Sequence, residues 1–201
     1  YIPVDGMNEK GLSIGVLELE TPETFQQTEK KDITTTAMIR TVLDHAATVD
    51  EAIEIFNKYG LKGTFNINSG LLSAENVLTY GGKSVQHNKI NPGELASLYK
   101  GHEVAVHTLT HPMLPSLSEE EIIRQVEGDR LALSELCGYE VLGMAYPCGG
   151  VNNDDRVAAI LKEHTQVQYS RTITSNRSFD LQTNLYRFNP TVYHLEWDKM
   201  F

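Results

Sequence analysis

Gly101-His-Glu-Val-Ala-Val-His-Thr-Leu-Thr-His-Pro112 reads as a helix stop, a short strand and a loop that carries two histidines. Gly101 closes a helix that opens at Asn91-Pro92 and continues through Leu95, Leu98 and Tyr99. Proline there occupies the first turn, where its missing N–H has no intrahelical partner to lose. Glu103 to Thr108 follows as a strand with Val104 and Val106 on one face. His107 stands at the end of that strand, and the threonines and Pro112 argue against a regular helix through His107-Thr-Leu-Thr-His111.

The same rhythm extends to both sides. Lys62 to Asn68 is a short strand. Ser118 to Glu121 is a capping box, and Ile122, Ile123, Val126, Leu133 and Leu136 give the following helix its apolar face. Val141 to Tyr146 is a strand, Asn153 or Asp154 caps a helix carrying Val157, Ile160 and Leu161, and Val167 to Ile173 is a strand again. Alternating strands and helices imply a mainly parallel sheet or barrel, in which loops at the carboxyl ends of strands carry the chemistry.

Upstream the pattern differs. Asp5-Gly6 and Lys10-Gly11 are turn signals, and Leu12, Ile14 and Val16 alternate as a half-buried strand does within Leu12 to Glu20, although Leu17 and Leu19 fall on the opposite parity. Thr21 to Asp32 is polar and reads as loop. Thr34 to Ala47 places Met38, Ile39, Val42, Leu43 and Ala46 at helical spacing. Thr48-Val-Asp-Glu51 is a capping box that opens a second helix, ended by Gly60.

Composition narrows the function. The chain has 201 residues, 40% hydrophobic and 22% charged, which is globular. Its 27 acidic against 17 basic residues leave a net charge of -10, which disfavours a nucleic-acid partner. No apolar run approaches the roughly 20 residues that cross a bilayer. The chain begins at Tyr1 with no signal-peptide pattern, and a soluble protein is expected. Cys137 and Cys148 make no C-x-x-C pair and read as two reduced thiols.

Two histidines four apart are in general a pair satisfied by hydrogen bonds. At a strand end they can instead converge on one ion, and a catalytic zinc site adds a third protein ligand and a water. Gly63-Thr-Phe-Asn-Ile-Asn68, the run Gly101 to Pro112 and Ala145-Tyr-Pro-Cys-Gly149 resemble the polysaccharide deacetylase (NodB-like) family over about residues 54–201. The resemblance implies an incomplete distorted (β/α) barrel, α/β in class, and a metal-dependent hydrolase that removes acetyl groups from N-acetylglucosamine polymers or acetylated xylan. His107 and His111 would be ligands of a divalent metal, zinc by expectation. Tyr146 and Pro147 would wall a substrate groove with Arg171, and Thr191-Val-Tyr-His194 resembles the segment that supplies a catalytic histidine. For His194 and for Arg171 an ordinary surface role is an equal alternative; Trp197 reads as a packing residue before a sugar platform; Asn152-Asn-Asp-Asp155 reads as helix capping.

One motif is missing. The family's T-F-D-D-G strand end, source of a base and a third ligand, should precede Glu54-Ile-Phe-Asn-Lys-Tyr-Gly60 by about two turns of helix. Register alone would put Asp44 there, in a stretch that reads as helix. The arginine often found before Y-P-x-G is replaced by Ala145. Residues 1–53 resemble instead a fragment of the choloylglycine hydrolase and penicillin acylase family, with Asn8 in its N-E-K-G-L turn, but no cysteine precedes Cys137 to serve as its nucleophile. Two expectations follow: a deacetylase whose activity is impaired, or a catalytically inactive carbohydrate-binding domain. A barrel preceded by a foreign hairpin and helix would also self-associate through its exposed edge.

Overall fold

In the computed structural model, residues 5–7, 12–15, 33, 35–80, 82–174 and 184–189 are described. The chain divides into two compact units: among the described residues the first takes in those up to Gly60 together with Thr174 and Asn189, and the second Leu61–Ile173 together with residues 184–188.

In the first unit, β1 (Asp5–Met7) pairs antiparallel with β2 (Ser13–Gly15), Gly6 opposite Ile14. Helix α1 (Thr35–His45) packs on both strands and on α2 (Val49–Tyr59). The spacing of apolar residues decides the buried face: Met38, Ile39 and Val42 of α1 and Ala52 and Ile53 of α2 are all buried. Thr48 caps α2 by accepting from Glu51 N at 3.3 Å. The Glu51 carboxylate reaches back one residue further than a standard capping box, to Ala47 N at 2.5 Å. Gly60 ends the helix with φ 73°, a left-handed turn that suits glycine.

The second unit holds a four-stranded parallel sheet: β3 (Thr64–Ile67), β6 (Glu103–Val106), β7 (Gly143–Ala145) and β8 (Tyr169–Arg171), paired in that order. A hairpin, β4 (Val77–Tyr80) and β5 (Lys83–Gln86), interrupts the first crossover, which ends with α3 (Pro92–Leu98). Helices α4 (Glu119–Cys137) and α5 (Asp155–His164) make the next two crossovers. Each strand is added beside the last, the progression of a (β/α) barrel, yet the sheet does not close among the described residues. The register aligns Ile67, Val106, Met144 and Ser170 across the sheet.

The core lies between this sheet and α4 and α5. Val104, Val106 and Met144 are buried from the strands; Ile122, Val126 and Leu133, with Val157 and Leu161, are buried from the helices. Caps fall where the residue types require them, with Asn91, Ser118 and Asp154 each accepting from a first-turn N–H. Glu103, on β6, accepts from Thr64 Oγ1 at 2.6 Å and from the Tyr169 hydroxyl, which lies where a side chain at Gly143 would stand. Among the described residues both cysteines are free, and no helix is long and apolar enough to cross a membrane.

Candidate functional site

His107 is the first residue beyond β6, at the carboxyl edge of the parallel sheet. Its N–H donates to Ile67 O at 3.1 Å and to Asp129 Oδ2 at 2.9 Å. The chain then turns through two left-handed residues, Thr108 at φ 69° and His111 at φ 62°. A β-branched residue in that region is strained by roughly 1–3 kcal/mol, so the surroundings must hold it. They do so with polar groups. Asn68 Nδ2 donates to His107 O and Thr108 O at 2.5 and 2.9 Å. Gln125 receives Leu109 N on its carbonyl (3.0 Å) and Thr110 N on Oε1 (3.1 Å), and its Nε2 donates to Thr110 Oγ1 (2.9 Å). Thr108 Oγ1 accepts from His111 N at 3.1 Å.

Asp129 anchors this arrangement from below. Its carboxylate is wholly buried, with Oδ1 accepting from Ser69 N and Oγ at 2.7 and 2.5 Å. Burial raises its pKa, and the Ser69 hydroxyl, followed by the N–H groups of Ser69, His107 and Thr108, acts in the opposite direction. Gly70 is required beside it, because a Cβ there would lie 2.7 Å from Leu109 O.

The two imidazoles come together with ring centroids 4.9 Å apart and planes inclined by 60°. His107 Nδ1 lies 2.8 Å from Ala145 O on β7, which makes Nδ1 the protonated nitrogen. Nε2 makes no hydrogen bond among the described residues. Burial pulls the His107 pKa down to about 4; the Ala145 carbonyl opposes this, and the neighbouring His111, Arg171 and Lys89 add to it. The ring is therefore neutral at physiological pH, with one nitrogen oriented by a carbonyl, as a metal-bound imidazole must be. His111 meets Cys148: its Nε2 lies 3.4 Å from Cys148 N, its Nδ1 3.7 Å from Sγ.

The two rings lie together beyond the carboxyl edge of the sheet, and the nitrogens of His111 face Cys148. Among the described residues no group of three His, Cys, Asp or Glu side chains could hold an ion. Asp44 is engaged elsewhere: Arg40, one turn away on α1, makes two hydrogen bonds to its carboxylate and lowers its pKa.

The other sequence-derived site residues are placed as follows. Tyr146 is buried and donates its hydroxyl to Tyr186 O at 2.7 Å, and burial raises its pKa. Pro147 is buried too, and its carbonyl accepts from Asn152 Nδ2 at 3.0 Å. Cys148 is the member of this segment that touches His111. Arg171, half-buried at the end of β8, is opposite Ala145 in register. Asp154 does cap α5, accepting from Val157 N at 2.8 Å. Asn8, His194 and Trp197 lie outside the described residues.

Sequence reasoning missed Asn68, Gln125 and Asp129. A signal for the last two exists, because they interrupt the buried stripe Ile122, Val126, Leu133 of α4 with polar residues one helical turn apart. Polar side chains on a buried face require partners, and here the partners belong to the histidine loop.

A singly wound parallel sheet with a strained, doubly supported histidine loop at its carboxyl edge defines an α/β protein of barrel type with its site above the strands. A family model described as polysaccharide deacetylase matches residues 27–168, a stretch that takes in α1 and α2, and the chain belongs to that family. Among curated proteins it is 38% identical to chitin deacetylase 1 of Saccharomyces cerevisiae over 66 residues, 33% of this chain and 21% of that one. Among solved structures it resembles the Streptococcus pyogenes deacetylase PplD in complex with acetate, with a TM-score of 0.57 at 19% identity over 71% of this chain and 57% of that one. It also resembles BC0361, a polysaccharide deacetylase from Bacillus cereus, with a TM-score of 0.53 at 18% identity over 70% and 42%. The structural likenesses are likenesses of fold. The chain thus spans about a fifth of the yeast relative and roughly half of these two structures.

Proposed function

We propose that this chain contributes the histidine half of a hydrolytic site that removes acetyl groups from a polysaccharide, with His107 and His111 as ligands of a zinc-type ion. The observation that carries the reading is His107 itself: neutral, at a strand's carboxyl end, fixed through Nδ1 on Ala145 O, with Nε2 uncommitted among the described residues. A divalent ion held there would polarise the acetyl carbonyl and lower the pKa of its water.

The chain's own residues prepare that position. Asp129 and Gln125 hold the backbone of the loop, so both rings are presented without depending on a ligand to order them. The Cys148 backbone N–H points to His111 Nε2 and limits where that ring can turn. Among the described residues no third His, Cys, Asp or Glu side chain joins the two rings to hold an ion. That shortfall favours a second reading, a carbohydrate-binding domain without turnover.

Metal content after zinc loading and dialysis tests the first reading, comparing the native chain with His107→Ala/His111→Ala. About one zinc per chain, lost in the double variant, is expected, and acetyl release from acetylated xylan and chitin oligomers is then the assay for turnover. Equal metal content in the two proteins would overturn the metal role of the pair.

A further inference from the structure

Two asparagines are buried side by side behind the turn that meets His111. Asn152 and Asn153 lie on the approach to α5, and both are buried. Asn152 Nδ2 donates to Pro147 O and Cys148 O at 3.0 and 2.9 Å, and its backbone N–H donates to Gly150 O at 3.0 Å. Asn153 Nδ2 donates in turn to Asn152 Oδ1 at 2.7 Å. Cys148 has φ 66°, in the left-handed region that favours glycine, so its conformation depends on neighbours that hold it.

This chain of donors begins at Arg187. A short helical turn, Leu185–Arg187, is fastened beside β8, where Phe188 N donates to Ser170 O at 3.1 Å and Thr172 N to Phe188 O at 2.9 Å. From that turn Arg187 Nε donates to Asn153 Oδ1 at 2.5 Å, and Nη1 donates to Asp155 Oδ1, also at 2.5 Å. A guanidinium has donors and no acceptor, so Asn153 must offer it the amide oxygen and turn its NH2 to Asn152. Asn152 then directs its own NH2 at the carbonyls of Pro147 and Cys148. Reversing either amide would set acceptor against acceptor, or donor against donor, in a buried place.

We propose that Arg187 is a positioning residue of the histidine site. Through Asn153 and Asn152 it fixes the Cys148 turn, and with it the N–H that meets His111 Nε2 at 3.4 Å. This rests on reading the histidine pair as the working site. Arg187 makes no hydrogen bond to either ring among the described residues and takes no part in bond breaking. Its bond to Asp155, whose side chain is 93% exposed, lies outside the relay.

Amide exchange and heteronuclear NMR of the whole metal-free chain test this. The probes are the Cys148 amide and the His111 ring nitrogens, with the amides of β6 as internal reference. In Arg187→Met the Cys148 amide should exchange about tenfold or more faster while β6 holds, as loss of a hydrogen bond from a charged donor implies. The His111 ring resonances should move with it, and Arg187→Lys, which keeps a donor, should recover part of the protection. Asp155→Ala removes the exposed ion pair, spares the relay and should change neither probe. Asn153→Asp keeps an acceptor for Arg187 but removes the NH2 that faces Asn152, so it should loosen Cys148 as Arg187→Met does. It also decides the matter should Arg187→Met fail to fold. Wild-type signals at Cys148 and His111 in Arg187→Met or Asn153→Asp would overturn the proposal. Acceleration at Cys148 only in step with β6, or the same effect from Asp155→Ala, would overturn it equally, because either marks a general structural role. None of these signals needs metal or acetyl release, so the zinc test of the histidine pair can fail without moving them, and they can fail while that test succeeds.

Discussion

Asp129→Asn changes one oxygen to an NH2 at nearly constant volume, which makes it a test of hydrogen-bond polarity rather than of packing. Every partner of the carboxylate in the His107 and Ser69 backbone is a donor: Ser69 N on Oδ1 and His107 N on Oδ2, with Thr108 N acting on the same group. An amide has one oxygen, so one orientation sets NH2 against Ser69 N–H and the other sets it against His107 N–H. The second is the less costly, because His107 N–H keeps Ile67 O. Hydrogen bonds to a charged acceptor contribute roughly 1.5–3 kcal/mol each, and a buried donor left without a partner costs about 1–3 kcal/mol. Relief of the burial that raises the Asp129 pKa offsets part of this. A net loss of about 2–4 kcal/mol is expected, a fall of roughly 10 °C or more in Tm for a unit of this size. Thermal and urea unfolding followed by circular dichroism measures it, and amide exchange at His107 and Thr108 should accelerate in parallel. Stability of the Asp129→Asn variant within about 0.5 kcal/mol of wild type, with Asp129→Ala strongly destabilised, would show that the carboxylate merely fills space and would refute the argument.

Three further outcomes are expected. The His107 pKa is lowered from 6.5 to about 4, so between those values the unfolded chain binds the extra proton; stability is present above pH 6.5 and lost as pH falls through about 4, by up to roughly 3 kcal/mol. Urea midpoints across that window should fall with pH in wild type and less in His107→Gln; a flat wild-type profile would contradict it. Gly70→Ala drives a Cβ to 2.7 Å from Leu109 O, backbone that cannot step aside alone, and should cost about 1–3 kcal/mol in the same assay, with a neutral effect counting against the close approach. Finally, β3 has no neighbour on its outer side among the described residues. Sedimentation velocity is expected to show species larger than the 22.5 kDa monomer, and a monomer with a high melting temperature would remove the exposed edge as a cause.

Much of the architecture could be read from residue order, since helices announced their ends with local chemistry. Thr48, Asn91, Ser118 and Asp154 cap through their own side chains and Gly60 stops α2 by its left-handed φ, interactions spanning a few residues. The four parallel strands were legible too, but each came out shorter than the segment read for it, as Val141 to Tyr146 shows against Gly143–Ala145, because ladder pairing depends on neighbours that no local pattern reports. The β4–β5 hairpin went unread, although Tyr80 and Lys83 flank two glycines, a strong hairpin signal.

The site divides in the same way. Its histidines were visible because their spacing and place after a strand are properties of one short segment. What holds them was not, because Asp129 and Gln125 reach the loop across 22 and 15 residues, and Ala145 lies 38 residues from His107. Sequence by itself determined the alternation of strands and helices, the helix caps and the two imidazoles, all set by interactions within a few residues. Only the tertiary structure decided that burial draws the His107 pKa down and that a buried carboxylate fastens its backbone. Burial and field depend on which distant segments close over a group, and that information exists only once the chain is folded.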